Sequence, residues 1–251
     1  MSPLKMLLIG LLTLAILLLW ASALGAAPPQ SPVRVLIVTG VDHPAHDWRA
    51  TAPVLRGLLE SGDAISARIV EDPEILATDL IFQYDVLCLH FRNETPLARE
   101  AEARVHLARF LDQGKGLVLV HFASGAFPDW KEYVTIAGRV WDGKNTHDPR
   151  GPFAVRIVNP EHPITRGLSD FTTDDELYIG LAGDVPITPL AVARSRVTGR
   201  DHPMAFSLEV GPGRVFHATF GHDARALETP AVRTLLRQGT LWAAGRPAPA
   251  S

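Results

Sequence analysis

Gly116-Leu117-Val118-Leu119-Val120-His121-Phe122-Ala123-Ser124-Gly125 runs from a glycine through four uninterrupted aliphatic residues to a histidine and a turn of small residues. A strand without polar alternation is apolar on both sides, and only a sheet covered on both faces buries it. The turn behind it lets a ligand approach the backbone. Immediately upstream, Leu97, Ala101, Val105, Ala108 and Leu111 recur at steps of four, four, three and three, which predicts a helix with that apolar stripe, closed by Gly114.

Further out, the same alternation repeats. Val33 to Thr39 is a β-branched run ending at Gly40, followed by a polar loop and a helical stretch from Trp48 to Ser61. Ala64 to Val70 reads as a second strand and Asp85 to His90 as a third. Strands alternating with helices pair in parallel through right-handed crossovers. The expected fold class is therefore α/β, a doubly wound, mostly parallel flavodoxin-like sheet. The second half is richer in strands, at Phe153–Val158, Leu190–Arg194, Met204–Leu208 and Arg214–Thr219, some of them antiparallel. A final helix from Thr229 to Ala244 points Val232, Leu235, Leu236 and Trp242 at the core.

Residues 1–26 read as a secretory signal peptide: Lys5 precedes the apolar run Met6–Trp20, and small residues follow at Ala21-Ser22-Ala23 and Ala23-Leu24-Gly25. Cleavage is expected between Ala23 and Ala27. The rival reading is an uncleaved anchor, because the apolar run extends to Ala27 and approaches the length of a membrane span. The protein is thus expected to be exported, periplasmic or extracellular, touching a membrane only through this segment if it is retained. Residues 33–245 form one domain, and 246–251 a frayed tail. A formal net charge of -3 gives no basic excess for neutralising phosphates, which excludes nucleic-acid binding. The single cysteine, Cys88, lies in the apolar run Tyr84–Leu89 and reads as a buried small hydrophobe.

Ligands of an open parallel sheet bind beyond the carboxyl ends of its strands, and the histidines gather in those places. His43 and His46 follow the first strand, His90 ends the third, His121 ends the fourth, and His222 follows the last. Imidazole there serves as metal ligand or as general acid and base. His106 and His217 read as a solvated and a packed residue, and His162 and His202 each precede a proline, as turn residues do. His147 lies in a polar loop that suits a turn or a site lid. Asp174, Asp175 and Glu176 form the strongest acidic cluster. As adjacent charges they read first as a solvated turn; near histidines they would bind metal or orient an imidazole.

Thr39-Gly40 with His46-Asp47-Trp48, Val120-His121-Phe122 with Phe127-Pro128-Asp129-Trp130, His147, Glu161-His162-Pro163-Ile164, Asp175-Glu176-Leu177-Tyr178, and Gly213-Arg214-Val215-Phe216 with Phe220-Gly221-His222-Asp223 occur in one order from Val33 to Gly245. The ordered set resembles the ThuA-like (trehalose-utilisation) family. The resemblance implies the three-layer sandwich of class I glutamine amidotransferases, but not their chemistry, since no cysteine follows the fourth strand. Ser124 lacks the glycine-flanked elbow of a serine nucleophile, because Phe122 holds the first glycine's position. The family's association with trehalose and related sugars implies a small carbohydrate or oxidised-carbohydrate ligand. On that reading His121, His222 and Glu176 are the catalytic candidates, for hydrolase, lyase or isomerase chemistry. His46, Asp47, Trp130, His147, Tyr178 and Asp223 are the substrate-binding candidates. His121, His147 and His222 would hold a divalent metal, for which zinc suits the donor set. The alternative is a non-catalytic carbohydrate-binding protein, with Phe127, Trp130, Trp141 and Tyr178 stacking on sugar rings.

Overall fold

The computed structural model describes residues 31–246. The leader expected over residues 1–26 and the tail beyond Arg246 lie outside them. β1 (Val33–Val38) sends Val33, Val35 and Ile37 to one face of its sheet and Leu36 and Val38 to the other. After β2 (Ile65–Val70), β3 (Val86–Leu89) and β4 (Gly116–Val120) divide their side chains in the same way. Each face thus carries a core of its own, and each fully buried aliphatic side chain contributes about 1.5–3 kcal/mol.

Helices cover both cores. α1 (Trp48–Leu59) buries Leu55, Leu58 and Leu59 on the face that β1 reaches with Val35 and Ile37. α2 (Glu100–Asp112) and the short α3 (Tyr133–Ala137) pack on the opposite face. α2 forms where the sequence predicts it, and Gly114 closes it with a φ of 74°. The stripe shares only Leu111 with the expected one: Ala103, Leu107 and Phe110 are buried with it, whereas Val105 is 65% exposed. Both sets fit a 3.6-residue period, and the one containing the large Phe110 ring faces the sheet.

The remaining strands are β5 (Thr146–His147), β6 (Gly151–Ile157), β7 (Phe171–Asp175), β8 (Tyr178–Ile179), β9 (Thr188–Arg194), β10 (Asp201–Val210) and β11 (Gly213–Ala218), followed by α4 (Ala224–Glu228) and α5 (Pro230–Ala243). α5 returns Val232, Leu235 and Leu236 to the α1 face, with Trp242 partly buried against it. Nine of the described strands form one sheet in the order β2-β1-β3-β4-β11-β10-β9-β6-β7. β2, β1, β3, β4 and β11 are parallel, the flavodoxin-like 2-1-3-4-5 arrangement with β11 as fifth strand. From β10 onward every pairing is antiparallel, which bears out the mixed second half. β5 and β8 pair separately, setting His147 opposite Tyr178. Among the described residues no helix is long and apolar enough to cross a membrane.

Candidate functional site

Four loops at the carboxyl edge bring one side chain each to a common point. His46 comes from the β1–α1 loop, His121 from the end of β4, Glu176 from the turn after β7, and His222 from the loop after β11. One ligand-type atom from each lies within 4.8 Å of all the others. His121 occupies the sharp turn with a φ of 48°, a conformation costing about 1–2 kcal/mol in a residue with a side chain. The strain places its imidazole over the end of the parallel sheet, fully buried. Phe122, next in sequence, stacks flat on His46 with ring centroids 4.6 Å apart.

Backbone groups decide which imidazole nitrogens carry protons. Nδ1 of His43 receives the backbone N–H of Ala45 at 3.2 Å, so this nitrogen is an acceptor. Nδ1 of His46, 2.9 Å from it, is then the donor, and Nε2 of His46 keeps its lone pair. That Nε2 is buried and has no hydrogen-bond partner. His121 donates from Nδ1 to the Thr219 carbonyl at 2.7 Å, which leaves its Nε2 lone pair facing the Tyr178 hydroxyl at 2.9 Å and Glu176 Oε2 at 3.5 Å. Nδ1 of His222 stands 3.1 Å from the same Oε2, off the line of a hydrogen bond.

The acidic pair is buried, so the solvated-turn expectation does not hold for Asp175 and Glu176. Asp175 accepts backbone N–H groups from Gly221 at 2.7 Å, Glu176 at 2.8 Å and His222 at 3.1 Å, tying two ligand-bearing loops together. Burial raises its carboxyl above the usual range, and these bonds oppose the rise. Burial would also raise Glu176, but His121 and His222 in their protonated form outweigh that and hold it well below the usual carboxylate range. His46 is pushed down to about 2, first by burial and then by the charges of His121, His43 and His222. With its imidazoles deprotonated the site offers lone pairs around one carboxylate, a donor set that suits zinc.

The other sequence candidates are placed differently. His147 stands 3.7 Å from the second oxygen of Glu176, outside the group of four, and donates Nδ1–H to the Asp148 carbonyl. His46 thus joins the group that the sequence reading expected His147 to complete. Asp47 caps α1 and Asp223 caps α4, the latter also pairing with Arg150. Trp130 packs between Phe127, Tyr133 and Arg104. His90 bonds Thr51 and His217 the Ala137 carbonyl, both buried; His106 rests on Phe82. His202 lies within β10 rather than in a turn. Cys88 is fully buried in β3, and burial pushes its thiol up to about 12, so it offers no thiolate nucleophile. The sequence placed His43 beside His46 at the end of the first strand without giving it a role of its own, and passed over Glu94, 3.4 Å from its Nε2, and Arg92, 3.1 Å from Glu94. Position beside His46 was the only available signal for His43.

A ThuA-like protein from Parabacteroides merdae superposes with a TM-score of 0.77 at 24% identity, covering 88% of this chain and 93% of that one. A second, from Bacteroides uniformis, gives 0.69 at 20% identity, covering 87% and 94%. A glutamine amidotransferase from Thermotoga maritima aligns over 86% and 99% at 13% identity with a TM-score of 0.48. No curated protein matches. The sequence profile described as "ThuA: Trehalose utilisation" matches residues 34–243, and the chain belongs to that family.

Proposed function

We propose that this protein is an exported, metal-dependent enzyme acting on a sugar or oxidised-sugar derivative, its ion held by His46, His121, Glu176 and His222. The observation that carries the metal is the unpartnered, buried Nε2 of His46, a lone pair aimed among three further donors. Burying an acceptor without a partner costs about 1–3 kcal/mol, and a cation supplies the missing interaction. Each flanking group fits that role. His43 and the Thr219 carbonyl fix two imidazoles with their lone pairs inward, and Asp175 holds the loops that carry Glu176 and His222. A bound zinc would supply Lewis acidity and activate water at neutral pH. Glu176 would complete the donor set as a carboxylate, and His147, half-exposed beside it, is placed to hold or pass a proton at the mouth of the site.

The sugar rests on the family's trehalose association and on the aromatic side chains near the cluster; export rests on the leader-like residues 1–26. Elemental analysis of protein purified without a polyhistidine tag, alongside His121→Ala and His222→Ala, tests the centre. The expected result is close to one equivalent of zinc in the parent and its loss in both variants. Unchanged metal content in both variants rejects the site.

A further inference from the structure

Trp141 borders two features. Its ring stands 5.1 Å from that of Tyr178, whose hydroxyl meets His121. It also lines a concavity of 310 Å³ with Phe127, Trp130, Tyr133 and Val140, a volume within the range of about 300–1,000 Å³ typical of small-molecule sites. Only two non-glycine residues among those described have a positive φ, His121 at 48° and Phe127 at 57°. One carries the histidine cluster and the other this pocket. The Phe127 turn is held by its own N–H, which donates to the buried Asn93 side chain at 2.9 Å, and by the Trp130 N–H, which donates to its carbonyl at 3.0 Å. Such strain costs about 1–3 kcal/mol and concentrates at ligand clamps. Ser124 also lines the pocket, 1% exposed, and its Oγ has no hydrogen-bond partner in the protein. At the rim, Lys131 and Asp142 are exposed and of opposite charge.

We propose that this pocket is a second subsite, taking an uncharged ring with an apolar face that belongs to the same molecule whose polar part meets the histidine cluster. Aromatic walls select a flat apolar face, which a pyranose offers through its C–H bonds and an aryl group through its π surface. The balanced rim gives neither an anion nor a cation an advantage. The Trp141–Tyr178 contact makes pocket and cluster neighbours, so the ligand class is a two-ring conjugate rather than a free monosaccharide. The polar half of this assignment rests on the metal-centre reading above; the ring pocket does not.

Methyl β-D-glucoside, cellobiose and phenyl β-D-glucoside are titrated calorimetrically into the full chain supplied with equimolar zinc. One of the two-ring probes is expected to bind about tenfold more tightly than the methyl glucoside. Preference for cellobiose identifies a sugar as the second ring, and preference for the phenyl glucoside an aryl group. Trp130→Ala should remove the advantage and Trp130→Phe restore it. Should Trp130→Ala fail to fold, Ala182→Trp, which fills the pocket from its wall, should remove it instead. Equal binding of the three probes, binding of none, or an advantage that survives Trp130→Ala or Ala182→Trp overturns the proposal. Zinc content read in the same samples separates the two readings: a Trp130-dependent preference without bound zinc keeps the pocket and rejects the metal centre.

Discussion

His46 gives its Nδ1 proton to Nδ1 of His43, 2.9 Å away, and the Ala45 N–H on the same acceptor makes the opposite direction unavailable. His43 thus acts on the site through another residue, as a carboxylate or carbonyl does behind a metal-bound histidine. His43→Ala should weaken zinc binding about 10–100-fold by freeing the His46 ring to turn and change tautomer. His43→Gln, whose side-chain carbonyl accepts the same proton, should recover most of the loss. Chelator competition measures both constants, and equal affinity in His43→Ala and the parent would remove His43 from the site.

Tyr178 makes the opposite contribution. Its hydroxyl donates to Nε2 of His121 at 2.9 Å, occupying the lone pair that a metal would take. Ion and hydroxyl compete for one nitrogen, and a net hydrogen bond contributes about 0.5–1.5 kcal/mol. Tyr178→Phe should therefore tighten zinc binding roughly threefold to tenfold. Weaker binding in the same competition assay would show that the hydroxyl supports the ion.

The parts of this arrangement legible in the sequence were those whose cause is local. β3 and β4 are continuous apolar runs and β1 is broken only by Arg34, so the doubly wound half and the histidines at its strand ends could be read directly. β7, Phe-Thr-Thr-Asp-Asp, lies at the sheet's edge, and its polar composition looks like a loop. The burial of Asp175 depends on Gly221 and His222, some forty-six residues away, and nothing beside Asp175 announces it. The presence of His46 rather than His147 in the group of four has a similar origin. Stacking on Phe122 and the proton given to His43 turn the His46 ring inward, while a bond to its neighbour's carbonyl holds His147 at the rim.

Acid should destabilise the metal-free protein well above the carboxylate range. His46, His90 and His217 are held down to about 2, about 3 and about 4, with burial the first cause in each. An unfolded chain protonates these groups near pH 6.5, about the ordinary histidine value. Below that pH unfolding takes up protons the folded state refuses, so stability is full above about 6.5 and falls as pH drops toward the folded values. Each group contributes up to about 1.4 kcal/mol per pH unit, so the three together approach about 4 between pH 5.5 and 4.5. Glu176, held low in the folded state, adds to the loss below its ordinary value of 4.5. Denaturant midpoints at pH 7.5, 6.0 and 5.0 with chelator present should fall progressively, and a flat series would contradict the buried neutral histidines.

Asp175 links stability to the site without facing the ligand cluster itself. Its two oxygens receive three backbone N–H groups, those of Glu176, Gly221 and His222, and the side chain is buried. In Asp175→Asn one oxygen becomes an NH2 group that meets backbone donors instead of accepting from them. Bonds to a charged acceptor contribute about 1.5–3 kcal/mol, so a loss of about 2–4 kcal/mol in unfolding free energy is expected, read from urea denaturation at pH 7. Because the same bonds set the loops of Glu176 and His222, zinc affinity should fall in the folded fraction as well. A variant that loses stability yet binds zinc with parental affinity would mean that the loops keep their positions unaided, and Asp175 would then be a structural residue only.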